Sequence, residues 1–86
     1  MPMFEITAVI YQPARNHGCK FCDVIDVDEN ALREPGIASF YEQVQTCVQG
    51  HVPSGGRAEL LMICAMEDVP ELDLKAGEIF YLAASH

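Results

Sequence analysis

The sequence predicts an α+β domain, with one helix packed on a four-stranded mixed sheet in the order ββαββ, β-grasp-like in layout. Three observations predict it. Phe4–Tyr11 alternates at a period of two, Ile37–Val48 carries its apolar residues at helical period, and Arg57–Met66 holds a run that is apolar on both faces. All 86 residues are read as a single domain, 1–86, with a modest core.

Residues Phe4–Tyr11, FEITAVIY, are rich in β-branched and aromatic side chains, and Phe4, Ile6, Ala8 and Ile10 share one face. The stretch from Gln12 to Gly18 is turn chemistry: Pro13 fixes φ, while Asn16 and Gly18 tolerate positive φ. Cys19-Lys20-Phe21-Cys22 is read as the elaborated tip of an antiparallel hairpin. Its second strand is Phe21–Val27, with Phe21, Ile25 and Val27 inward and Val24 and Asp26 outward.

The main helix is expected over Ile37–Val48. Ile37, Phe40, Tyr41, Val44, Cys47 and Val48 form its apolar stripe, with Glu42, Gln43, Gln45 and Gln49 opposite. Pro35 and Gly36 mark its start, Gly50 its end, and Pro53 forbids continuation. One helical turn is expected around Ala31–Arg33. The acidic Asp28, Glu29 and Glu34 precede the main helix and suit the positive end of its dipole.

His51–Gly56 reads as a loop. For Arg57–Met66 a central strand is the expectation and a second helix its rival, since Leu, Met and Ala also form helices. Glu67–Asp73 is an acidic connection broken by Pro70, Lys75–Glu78 a turn, and Ile79–Ala83 the last strand.

Thirteen acidic against five basic residues give a formal charge of −8. Direct binding to nucleic acid is disfavoured by phosphate repulsion, whereas a basic surface on a protein partner is attracted at long range. The same charge also serves solubility. No apolar run reaches the roughly 18 residues of a membrane span, and the N-terminal residues lack a basic leader, so the expected location is cytoplasmic. The expected topology polarises the surface. Arg15, His17, Lys20 and Arg57 gather near the hairpin tip, and most acids lie at the other end, with Asp26, Asp28, Glu29, Glu67 and Asp68 the candidate partner-binding residues.

Four cysteines, Cys19, Cys22, Cys47 and Cys64, have disulfides, a metal site or core packing open to them. A reducing cytosol disfavours the first. Cys19-x2-Cys22 is half of a structural zinc pattern, and Cys47-x3-His51 supplies a second half. Helix and strand both span about 20 Å, so the helix C-terminus is expected near the hairpin tip, where Cys19, Cys22, Cys47 and His51 would hold zinc. Against it, Cys47 sits on the apolar stripe, where a free thiol is an ordinary core residue. A thiol-redox role for the CxxC is weaker still, because strand-like residues and Asp23 follow it where a depressed pKa needs a helix N-terminus.

No phosphate loop, nucleotide-binding glycine pattern or nucleophile elbow occurs. The expected function is therefore a non-catalytic, acidic protein-binding module. In its sharpest form it inhibits a nucleic-acid-handling complex. Its size and charge are similar to those of small phage proteins directed against host defence, anti-CRISPR proteins among them. The alternatives are a small zinc-stabilised structural or adaptor domain and, third, a CxxC thiol-redox protein.

Overall fold

A computed structural model of the chain describes residues 2–14, 17–33 and 36–83. The first strand, β1 (Met3–Tyr11), pairs along its length with β2 (Gly18–Asp26), from Met3 opposite Asp26 to Tyr11 opposite Gly18. A short 3-10 helix, Glu29–Leu32, leads to α1 (Ile37–Gln49). The third strand, β3 (Arg57–Ala65), returns along the free side of β1, and β4 (Ile79–Leu82) closes the sheet. The strand order is β2-β1-β3-β4.

All three pairings are antiparallel, which corrects the expected mixed sheet. The reason is where the helix delivers the chain. β2 ends beside Met3, and α1 carries the chain back to the hairpin tip. β3 then starts opposite Tyr11 and runs against β1 as its neighbour. What the fold shares with a β-grasp layout is the single helix across one face of the sheet.

The helix rival for Arg57–Met66 is excluded, because this segment is a strand at the centre of the sheet. The tip is also shorter than expected. Pairing runs through Ile10–Cys19, Val9–Lys20, Ala8–Phe21 and Thr7–Cys22, so the CxxC belongs to β2 itself. Gly18 makes this possible. A Cβ there would overlap the Val9 side chain and lie 2.9 Å from the Tyr11 ring. The Arg57 guanidinium covers that ring, 3.9 Å from its centroid.

The core fills the space between α1 and one sheet face. Phe4, Ile6 and Ala8 of β1 and Ile63 and Ala65 of β3 meet Phe40, Val44 and Val48 of α1, all buried. Phe40 is the hub, with its ring centroid 5.0 Å from Phe4 and 5.4 Å from Phe80. The expected stripe is corrected at Tyr41, which is 43% exposed and only flanks Phe40 and Phe80. Ile37 and Cys47 pack at the edge of the core. Gly36 and Gly50 bound the helix; Pro35 and Glu34 lie outside the described residues, as do Arg15 and Asn16.

Alternation sends every second strand residue to the opposite face, which no other element covers among the described residues. One row there runs Cys22, Thr7, Met62, Leu82 across all four strands. The next runs Val24, Glu5, Cys64, Ile79. The apolar character of ELLMICAM on both faces thus reflects a central strand with one face packed by the helix and the other left open.

Candidate functional site

Two places collect the chemistry-bearing residues. The first lies where the C-terminal turn of α1 meets β2. Within β2, Phe21, Asp23 and Ile25 share the helix-facing side, with Phe21 and Ile25 packed on the core. Asp23 is therefore a carboxylate on the helix-facing side of the edge strand, 43% exposed and within reach of partners on α1. It finds them on one oxygen: the Cys47 thiol donates to Asp23 Oδ2 at 3.4 Å, and His51 Nε2 lies 3.4 Å from the same atom. The other oxygen accepts the Val24 N–H at 2.8 Å. The His51 ring also packs on Phe21, centroids 4.2 Å apart.

These contacts set the electrostatics. The Val24 N–H bond and then the Cys47 thiol hold the Asp23 carboxyl below its ordinary pKa, against a desolvation effect that exceeds either of the lesser contributions of His51. Burial first, then the adjacent carboxylate, pushes the Cys47 thiol above its ordinary value. Cys47 is thus a protonated hydrogen-bond donor at neutral pH, the opposite of an activated nucleophile.

Of the expected zinc set, Cys47 and His51 come together around Asp23, which pairs with Ile6 inside β2 rather than lying at the hairpin tip. Cys19 and Cys22 do not join them as a pair. Three residues apart in a strand, they point to opposite sheet faces, and Cys22 sits beside Thr7, with Sγ 3.8 Å from Oγ1. Both are exposed free thiols. Among the described residues no three His, Cys, Asp or Glu side chains are arranged to hold a metal ion. The same facing separates the two thiols that a redox CxxC brings together. Cys64 lies on the open face beside Glu5.

Asp23 is the residue that sequence reasoning missed. Its signal was present: once CKFCDVID is a strand, alternation places it between Phe21 and Ile25 on the apolar side, where a lone carboxylate requires a donor. Beside it, a groove between β2 and α1 is lined by Ile25, Asp26, Ser39, Glu42, Thr46 and Cys47.

The second place is the acidic end of the sheet. Asp26 pairs with Met3, and Phe4 with Ala65, so the chain leaves β2 and β3 at the same end. The two connections that follow pack on each other through the 3-10 helices Glu29–Leu32 and Pro70–Leu72. Asp28 caps the first by accepting the Asn30 N–H at 2.9 Å, and Asp68 accepts the Ala76 N–H at 3.0 Å. Asp26, Asp28, Glu29, Glu67 and Asp68 are all exposed there. Arg33 reaches Glu71 at 3.9 Å. At the opposite end Lys20, opposite Val9, and Arg57, opposite Tyr11, sit beside the tip.

No helix among the described residues is long and apolar enough to cross a membrane. No family model matches this chain, and neither a curated protein nor a solved structure matches it.

Proposed function

We propose that this chain is a non-catalytic binding module whose acidic end engages a basic surface on a protein partner. One observation carries the reading. Two acidic segments far apart in sequence, Asp26–Glu29 and Glu67–Asp68, leave the sheet at one end and are held there by packed 3-10 helices. Charges fixed on a packed scaffold present a preorganised pattern, which lowers the entropic cost of docking. In its sharpest form the module inhibits a nucleic-acid-handling complex by occupying lysines and arginines that would otherwise hold phosphates. The likeness to phage anti-defence proteins supports that form by size and charge alone. Such a partner would be met in the cytoplasm.

The experiment is capture of partners from lysate by the intact chain, followed by affinity measurement on the purified pair. Affinity should fall steeply between about 50 and 300 mM salt. Glu29→Gln with Glu67→Gln should weaken it further; neither side chain forms a hydrogen bond or ion pair among the described residues. Binding indifferent to both changes would sink the reading.

A second reading, a zinc-stabilised structural or adaptor domain, is favoured by the approach of Cys47 and His51 to one Asp23 oxygen. Cys19 lies on the same face of β2 as Asp23, and Cys22 on the other. Purified protein would then carry about one zinc per chain, and chelator would lower its melting temperature. Cys47→Ala would lose the metal and Cys22→Ser would keep it. A metal-free protein indifferent to chelator removes this reading.

A further inference from the structure

We infer that the open face of the sheet is a dimer interface, and that its occupant is a second copy of this chain rotated about a two-fold axis lying across the strands. Exposed apolar side chains concentrate on that face. Leu82 is 66% exposed, Ile79 48%, and Met3 and Val24 about 40% each. At the centre Thr7 is only 5% exposed, closed over by its neighbours in the row. The result is an apolar belt across the strands of a chain of net charge −8, of a kind that marks interaction sites.

The area is sufficient. Three strands of nine residues and one of four, at ~3.3 Å per residue and ~4.8 Å per strand, give each copy a footprint of roughly 500 Å². Two copies together reach the roughly 1,000 Å² that a specific interface needs. Sheets packed this way stand about 10 Å apart and bury both inner faces, as in a β-sandwich.

Charge selects the partner and its orientation. On this face Lys20 and Arg57 lie toward the tip, with Glu59 between them, and Glu5 and Asp26 lie toward the other end. The tip end is therefore net positive and the far end negative. A two-fold axis along the strands would stack like ends on each other. An axis across the strands, near the Thr7 row, lays each positive end over the negative end of its partner. It also matches the apolar belt with itself, as an isologous interface requires. The acidic connections carrying Asp28 and Glu29 stay outside this contact. Asp26 belongs to both surfaces, so the acidic-end reading is tested at Glu29 and Glu67, which lie outside β2 and β3, and the dimer at Lys20 and Leu82.

The test is sedimentation equilibrium of the full chain at physiological salt, which screens the repulsion between two copies of charge −8. The proposal predicts a mass twice the 9.5 kDa chain mass as concentration rises toward about 0.5 mM. Leu82→Glu should yield a monomer with an unchanged circular dichroism spectrum. Lys20→Glu should weaken association roughly tenfold, and Lys20→Glu combined with Asp26→Lys should restore it. A wild-type monomer at about 0.5 mM overturns the proposal. A dimer untouched by Leu82→Glu, or a charge swap that fails to restore association, overturns it equally.

Discussion

The Cys47 thiol and the Asp23 carboxylate meet at 3.4 Å across the seam between α1 and β2, and each moves the ionisation of the other. Asp23 is held in its charged form and Cys47 in its neutral form. The contact therefore has opposite sensitivities at the two ends of the pH scale.

The sign follows from linkage. Asp23, with its folded pKa depressed, contributes stability that is present above about pH 4 and lost as pH falls through the folded value. Cys47, with its folded pKa raised, contributes stability that is present below about pH 8.5 and lost as pH rises through the folded value. Asp23→Ala should flatten the acid side of the stability profile. It should also bring the Cys47 titration down part of the way, since burial still raises it. The measurement is alkylation rate against pH in a chain with Cys47 as its sole cysteine. An unchanged Cys47 profile in Asp23→Ala would mean that burial alone sets it.

Val44 is fully buried between helix and sheet, and Glu42 is exposed on the other side of the same turn. Val44→Asp places an unpaired charge in the core and should leave no cooperative thermal transition. Glu42→Ala should move stability by less than about 0.5 kcal/mol. Thermal melts followed at 222 nm separate the two outcomes.

Phe40 touches three aromatic rings, and Phe40→Ala should cost about 3–5 kcal/mol. For a chain of this length that is a large share of a total of about 4–13 kcal/mol. A double-mutant cycle with Phe4→Leu should return about 0.5–1.5 kcal/mol of coupling. A coupling of zero would place the two rings out of contact in solution.

Gly18 is the one residue of β2 without room for a Cβ. Gly18→Val should push the Val9 and Tyr11 side chains aside at a cost of about 1–3 kcal/mol. The loss should also appear in the near-ultraviolet signal of Tyr11, whose ring lies under Arg57.

Much of this fold was legible because its elements repeat locally. The spacing of Phe40, Val44 and Val48 requires no knowledge of what they face, and Phe4, Ile6 and Ala8 alternate without reference to a partner. What escaped depends on neighbours distant in sequence. Whether β3 sits beside β1 or β2 decides between an antiparallel and a mixed sheet, and nothing within Arg57–Ala65 encodes that choice. Tyr41 lies within the periodic stripe, yet the sheet is not wide enough to cover it. The CxxC looked like a tip because metal ligands commonly sit on tight turns. Pairing continued through it because Gly18 lets the strands close early.

β1 lies in the interior of the sheet, although it precedes the other three strands in the chain. Its hairpin partner follows within a few residues, but its other neighbour arrives only with Arg57–Ala65. At ribosomal speeds of roughly 5–20 residues per second, the second edge of β1 waits for seconds with its amides and carbonyls unpaired. During that wait the helix can cover the faces of Phe4 and Ile6, but not the edge. A nascent chain stalled before Arg57 is therefore a strand template seeking a partner. Emergence of Arg57–Ala65 closes that edge and ends the hazard.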